Sequence, residues 1–151
     1  MTVQKQGAPA GAQGTRAAAV TPGRATTKQR GDQAEAAALA HLQQQGLRLL
    51  QRNFRTPGRG GGEIDLIMSE PGGTLVFVEV RQRSGASHGG AGGSIGATKQ
   101  RRIVFAARHY LARLRQLPPC RFDVVLVQGA LGAEGTAVEW LRGAFDASGW
   151  V

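Results

Sequence analysis

The sequence predicts an α/β fold in which two helices alternate with strands. Residues 32–46 and 97–116 are rich in helix formers, and apolar runs bounded by turn residues at 47–54, 62–68, 74–82, 121–128 and 137–141 favour strands. The predicted order is helix, strand, strand, strand, helix, strand, strand. A chain of 151 residues is long enough to bury one core, so we expect one domain.

Residues 1–30 are predicted to form a disordered tail, because Ala, Gly, Gln, Thr and Pro cannot bury enough apolar surface to fold. The tail holds five basic residues and no acid, and subtracting these from the net charge of +9 leaves +4 for residues 31–151. A basic chain favours a polyanion as its partner. The tail is either a weak tether for nucleic acid or a solvated extension.

The first predicted helix opens at Asp32, a good N-cap, and ends at Gly46, which suits the residue that follows a helix. Of the next three strands, the second and third are separated by "EPGG" and are expected to form a hairpin. Residues 84–96 are Gly, Ser and Ala around His88, a composition that predicts a mobile loop over a site.

The second predicted helix presents one apolar side, and the strand after it should be buried. Asp123 begins that strand and is expected to be structural, while Trp140 and Trp150 are expected to pack in the core or at the terminus. The strand at 137–141 should lie at a sheet edge. The apolar side of the helix consists of Ile103, Ala106, Ala107, Tyr110, Leu111 and Leu114.

Cys120 is the single cysteine, so internal disulfides and multi-thiolate metal sites are excluded. We expect it to be a small core residue in a reducing compartment. No apolar run is long enough for a membrane helix or a secretory signal, so we expect a cytoplasmic protein with no membrane partner.

The stretch "GGEIDLI" places Glu63 and Asp65 inside an apolar strand. Alternation puts these acids on one face with Ile67, and opposite Ile64, Leu66 and Met68. If the hairpin is symmetric about Gly72, Asp65 lies across from Glu79. Opposed like charges destabilise a sheet, so a compensating cation is expected. It could be Mg²⁺ or Mn²⁺, which prefer oxygen ligands, or Arg81 or Arg83 in an ordinary ion pair.

Six blocks in order closely resemble the UPF0102 (YraN-like) family, a bacterial branch of the PD-(D/E)xK nuclease superfamily related to archaeal Holliday-junction resolvases. The blocks are "GDQAEAAALAHL", "RNFR", "GEIDLI", "VFVEVRQR", "KQRRIVFAARHYL" and "RFDVV". The resemblance covers residues 31–145. It implies a restriction-endonuclease-like domain, with a mixed central sheet flanked by helices.

The resemblance also implies the site. Asp65 matches the motif Asp, Glu79 the motif Glu, and Glu35 the acid of the first helix, so these three would be metal ligands and catalytic residues. Arg81 stands where the superfamily has a catalytic Lys. Because Arg keeps its proton up to about pH 12, it would act electrostatically and not as a base. Glu63 matches the acid of the "GEID" block.

The implied function is hydrolysis of phosphodiester bonds in DNA with Mg²⁺ or Mn²⁺, on branched or junction DNA among other substrates. A homodimer would suit a junction, which calls for two symmetric sites. Arg83, Lys99, Gln100, Arg101 and Arg102 would contact nucleic acid. The alternative function is a non-catalytic nucleic-acid-binding module that keeps the nuclease fold, and a basic protein that docks on ribosomes or another protein is a third reading.

Three residue roles stay open at this stage. Glu35 is either a metal-site residue or a helix-surface acid that favours the helix dipole. Glu63 is either an accessory site residue or half of a salt bridge. The basic start of the second helix, at Lys99, either contacts phosphate or is a solvated face.

Overall fold

A computed structural model describes residues 26–83, 95–129 and 136–148. These residues form two helices and five strands in the predicted order. The helices are α1 (Thr27–Gln44) and α2 (Ala97–Leu111). The strands are β1 (Arg48–Arg55), β2 (Glu63–Ser69), β3 (Leu75–Arg83), β4 (Cys120–Gln128) and β5 (Ala137–Phe145).

The strands form one five-stranded sheet in the order β1-β2-β3-β4-β5. Neighbouring strands are antiparallel except β3 and β4, which are parallel. A parallel pair needs a crossover connection, and α2 lies on the chain between these two strands. The mixed sheet with two helices confirms the predicted α/β class, and β5 is an edge strand as expected.

The hairpin of β2 and β3 has the register predicted from its turn. Leu66 pairs with Val78 and Ser69 with Leu75, which is the symmetry about Gly72 that the sequence indicates. Because a slip of one residue would turn every β3 side chain to the other face, this register fixes which side chains of the two strands can meet.

The sheet is buried between the helices. Ala34, Ala38 and Leu42 of α1 pack on one face, and Ile103, Ala106 and Ala107 of α2 pack on the other. The first face consists mainly of Leu66, Met68, Val76, Val78, Val125 and Val127, and the second of Ile67, Leu75, Phe77, Phe122, Val124 and Leu126. Strands β3 and β4 lie inside the sheet, which explains their nearly continuous apolar sequences.

Helix α1 begins at Thr27 and not after the predicted N-cap Asp32. Thr26 is the N-cap, where its hydroxyl accepts the N–H of Gln29 at 3.0 Å, and the Gln29 side chain accepts the N–H of Thr26 at 2.8 Å. This capping box satisfies two of the free N–H groups at the helix start. The last residues of the predicted tail are therefore helical, and residues 1–25 lie outside the described residues.

The second half of the chain departs from prediction in three places. Helix α2 ends at Leu111 and not near residue 116, so Leu114 is exposed and lies outside the helix. Further along the chain, Pro118 disfavours helical geometry at Leu117. Cys120 is exposed as the first residue of β4, directly after the Pro-Pro pair, which contradicts the predicted core position.

Strand β5 continues to Phe145, beyond the predicted end at residue 141. The carboxylate of Asp123, fully buried, accepts the N–H of Gly143 at 2.9 Å and the indole N–H of Trp140 at 2.8 Å. Arg121 also donates to Asp123 at 2.8 Å. Asp123 is thus structural, as predicted, and it holds the bulge at Gly143 that lets the strand continue.

No helix in the described ranges is both long and apolar enough to cross a bilayer. The predicted mobile loop with His88 lies outside the described residues, apart from Ile95 and Gly96, and so does Trp150.

Candidate metal centre and nucleic-acid interface

Strands β2 and β3 separate at one end, and this fork contains the two motif carboxylates. Their pairing ends at Leu66 and Val78, while β2 stays paired to β1 as far as Arg55 and Glu63. Strand β3 in turn stays paired to β4 through Arg83. Each half of the hairpin therefore follows its outer neighbour, and a gap opens between the halves just after the last pair.

Asp65 and Glu79 lie one residue beyond the last pair, Leu66 with Val78, on the side away from the turn. The N–H of Val80 donates to Oδ2 of Asp65 at 2.8 Å, so a side chain continues the contact between the strands where the backbone pairing stops. The prediction that these two acids come together is supported by their mutual hydrogen bonding and charge interaction.

The strict alternation predicted for β2 is wrong at this end of the strand. Ile64 packs in the same core cluster as Ile67, whereas the sequence pattern places them on opposite faces. Leu66 packs in the other cluster. The alternation is therefore interrupted between Ile64 and Leu66, around Asp65. A strand that leaves its partner can rotate, and sequence periodicity alone does not show such a rotation.

The carboxylate pair is held in a setting that disfavours two negative charges. Glu79 is only 7% exposed, and burial, followed by the charge of Asp65, raises its pKa to about 8. Burial also raises the pKa of Asp65. The two carboxyl groups share a hydrogen bond, and a divalent cation would compete with the proton that their raised pKa values favour.

Lys99, from the first turn of α2, is a cation next to Glu79. Its Nζ lies 3.4 Å from Oε2 of Glu79. The sequence predicts Arg81 or Arg83 as an ion-pair partner of the acids, and Lys99 as a phosphate contact or part of a solvated face. Arg81 follows Glu79 by two residues on β3 and shares its face by alternation.

Glu35 approaches the pair from α1. Its side chain is 15% exposed, and burial, followed by the charge of Asp65, raises its pKa. Arg52 lies 3.9 Å away and the Asn53 side chain forms a hydrogen bond, and both oppose this shift. Oε1 of Glu35 is buried without a hydrogen-bond partner among the described residues. A helix-surface acid would be hydrated, so Glu35 does not have the surface role left open above.

In the part of the chain that the structure describes, no three His, Cys, Asp or Glu residues are arranged to hold a metal ion. The predicted ligand set of Asp65, Glu79 and Glu35 is therefore not assembled as a ready three-ligand cluster. The two-residue pair still fits Mg²⁺, which commonly takes one or two carboxylates and keeps several waters. The unsatisfied Oε1 of Glu35 fits a role as acceptor for such a water.

The remaining predicted site residues have different surroundings. Glu63 forms a salt bridge with Arg55 of β1 at 3.2 Å. The Gln100 amide donates to the carbonyl of Ile95 at 2.8 Å, which ties down the start of α2. Arg101 is exposed on this helix. Nε of Arg83 is buried and lacks a hydrogen-bond partner within the described ranges.

A polar cleft of about 350 Å³ lies beside Lys99, the residue whose ammonium contacts Glu79. Lys99 and Arg102 of α2 line one side, and Arg55 and Glu63 line the other with residues of the β1–β2 turn. Lys99 is common to the cleft and to the carboxylate pair.

Sequence reasoning missed four contributors to the site. Arg52 and Asn53, which surround Glu35, belong to the quoted block "RNFR", but nothing local to that block indicates a neighbour on α1. Arg55 lies in the same block. The backbone of Val80 carries no sequence signal, since any residue except Pro offers an N–H.

The chain is similar to a described family and to curated relatives. The model of the uncharacterised protein family UPF0102 matches residues 34–127. A UPF0102 protein of Polaromonas naphthalenivorans is 69% identical over 134 residues, which cover 87% of this chain and 88% of that protein. One of Albidiferax ferrireducens is 68% identical over 122 residues, covering 81% and 91%. One of Methylibium petroleiphilum is 54% identical over 126 residues, covering 82% and 98%.

Proposed function

The chain belongs to the UPF0102 family, and we propose that it is a metal-dependent nuclease that hydrolyses phosphodiester bonds in DNA. The observation that carries the proposal is the buried pair of Asp65 and Glu79 at the fork of β2 and β3. Two acids held together at a desolvated position repel each other and cost free energy. A divalent cation would remove this repulsion, so the pair favours cation binding.

Asp65 and Glu79 would hold Mg²⁺ or Mn²⁺, with Glu35 accepting a hydrogen bond from a water beside them. When bound, such an ion polarises the phosphodiester and activates water for attack. The hydrogen bond from Val80 fixes the orientation of the Asp65 carboxylate, so one ligand is preorganised before the metal arrives.

Lys99 and Arg81 would supply positive charge at the phosphate. Lys99 lies beside Glu79, so its ammonium would stabilise negative charge that develops at the phosphate. We assign to Lys99 the electrostatic role that the superfamily gives to the Lys of its motif, since Arg81 stands in that sequence position. Arg81 would add forked donors to phosphate oxygens.

One observation favours the second candidate, a nucleic-acid-binding module without turnover. The ion pair of Lys99 and Glu79 already neutralises part of the charge that would attract a metal ion. A module of this kind would bind DNA through the basic residues at the start of α2 and would not need a divalent cation.

Cleavage assays separate the two candidates. The purified chain is incubated with end-labelled duplex, single-stranded and junction DNA, and with RNA, in Mg²⁺, Mn²⁺ or EDTA. The nuclease proposal predicts metal-dependent cutting that Asp65→Asn and Glu79→Gln each abolish, while the control Glu139→Gln, at an exposed position of β5, cuts normally. Salt-sensitive binding in EDTA without cutting under any metal condition would instead support the module.

A further inference from the structure

We propose that the polar cleft beside the carboxylate pair binds a second backbone phosphate, next to the one that is hydrolysed. This inference rests on the proposed function for the position of the scissile phosphate. It identifies the substrate as a nucleic-acid strand held at two neighbouring phosphates, and it adds Arg55 and the β1–β2 turn to the binding surface.

The charges of the cleft match an anion. Arg55, Lys99 and Arg102 line it together with one acid, Glu63, so its lining side chains carry a net charge of +2. Glu63 pairs with Arg55, since its Oε2 lies 3.2 Å from both Nε and Nη2 of that guanidinium. Guanidinium groups can bind a phosphate through two parallel N–H donors.

The cleft is built by close backbone packing. A Cβ on Gly62 would lie 2.0 Å from the carbonyl oxygen of Arg102, so the start of β2 packs directly against the α2 backbone. The N–H of Gly62 donates to Oγ1 of Thr56 at 2.7 Å, and the N–H of Thr56 donates to the carbonyl of Gly62 at 3.0 Å. These contacts close the turn and hold Arg55 and Arg102 on facing walls.

The start of α2 adds to the attraction for an anion. Its N-cap is Gly96, which has no side chain to satisfy the first N–H groups, and its first turn contains no acid. Free N–H groups and the positive end of the helix dipole both favour negative charge. Lys99 of this first turn lines the cleft, and so does Arg102 of the next turn.

Lys99 lies between the cleft and the carboxylate pair at which hydrolysis is proposed. Its Nζ contacts Glu79, and the same side chain lines the cleft. A strand whose scissile phosphate lies at the carboxylate pair would therefore pass its next phosphate along Lys99 into the cleft. A volume of about 350 Å³ is at the lower end of the range for small-ligand sites, which suits one nucleotide and not a base pair.

The test measures binding without catalysis. Fluorescein-labelled 20-nucleotide single-stranded DNA is titrated with the full chain in EDTA at several salt concentrations. Arg102→Gln should weaken binding about five- to tenfold and reduce the slope of log K against log salt by about one. The matched control is Arg115→Gln, which removes the same charge beyond the C-terminal end of α2 and should change affinity less than twofold.

Inorganic phosphate provides a second probe. In the ¹⁵N-labelled chain, phosphate should shift the amide signals of Gly61 and Gly62, and Arg102→Gln should suppress those shifts. If Arg102→Gln binds DNA like the wild type and phosphate leaves the glycine signals in place, the cleft does not bind phosphate. In that case Mg²⁺-dependent cutting by the wild type would still support the nuclease proposal. Conversely, if Arg102→Gln weakens DNA binding while the wild type shows no metal-dependent cutting, the cleft binds phosphate but the chain is not a nuclease.

Discussion

The N–H of Val80 donates to the carboxylate of Asp65 at 2.8 Å, beyond the last backbone pair of β2 and β3. This bond joins the two sides of the fork and fixes the first carboxylate of the proposed metal site. The second carboxylate, Glu79, immediately precedes Val80 on β3. The same short segment therefore positions both acids, and the properties of the pair can be tested by changing either one.

The metal-free protein should lose stability as the pH rises. Glu79 has an ordinary pKa of 4.5 and a folded-state pKa of about 8, so the folded state binds its proton more tightly than the unfolded state. The resulting stabilisation is complete below about pH 4.5 and is lost as the pH rises to about 8. Urea unfolding in EDTA should therefore give a smaller free energy of unfolding at pH 8 than at pH 5.5.

The variant Glu79→Gln is the control for this pH dependence. It removes the titrating group, so its free energy of unfolding should fall less between the same pH values, and at pH 8 it should be about 1–2 kcal/mol more stable than the wild type. An equal decline in both proteins would show that Glu79 is not the group responsible.

Divalent cations should stabilise the folded chain through the carboxylate pair. We expect 5 mM Mn²⁺ to raise the thermal midpoint of the wild type by several degrees, with a larger rise at pH 8 than at pH 6, because the metal competes with the Glu79 proton. Asp65→Asn and Glu79→Gln should remove this rise, measured by differential scanning calorimetry. A rise that persists in both variants would place the ion elsewhere.

Loss of the Lys99 ammonium should impair cutting far more than folding. Lys99 is about half-exposed, so Lys99→Gln should change the free energy of unfolding by less than about 1 kcal/mol. Cleavage of the DNA substrate should fall about a hundredfold, and Lys99→Arg should restore part of it because the charge returns.

Lys28→Gln is the matched control for Lys99. It removes an exposed lysine that pairs with Asp32 at 3.0 Å on α1, so it should leave cutting unchanged. Equal rates for Lys99→Gln and Lys28→Gln would limit Lys99 to an ordinary surface ion pair.

Gly62→Ala should destabilise the fold, because its Cβ would overlap the Arg102 carbonyl oxygen at 2.0 Å. Forcing β2 away from α2 should cost about 3 kcal/mol in urea unfolding. Gly72→Ala is the control, since a Cβ there meets nothing within 4 Å and its φ is not in the left-handed region. A Gly62→Ala protein as stable as Gly72→Ala would mean that the strand and helix do not approach so closely.

The sequence predicted the features that depend on local residue patterns, namely the elements and the register of the hairpin. Apolar runs and turn residues predicted the five strands and two helices, and the symmetry about Gly72 predicted the pairing of Leu66 with Val78. The predicted start of α1 at Asp32 was wrong, because Thr26 and Gln29 form a capping box within a stretch whose composition indicates a tail. Such a cap depends on four residues and is easily missed in a low-complexity segment.

Contacts between distant segments could not be predicted from the sequence. The pairing of Lys99 with Glu79 and of Arg52 with Glu35 depends on how the helices lie on the sheet. The rotation of β2 around Asp65 depends on the fork, where backbone pairing no longer enforces alternation. Cys120 was expected in the core, but its place at the start of β4 leaves it exposed.

A crystal structure of the chain grown with Mn²⁺ tests the metal centre most directly, because anomalous scattering locates the ion without assumptions about its ligands. We predict a peak in contact with the carboxylates of Asp65 and Glu79. If the Mn²⁺-saturated crystals show these two carboxyl groups still within hydrogen-bonding distance of each other and no anomalous peak beside them, the proposed metal centre is contradicted.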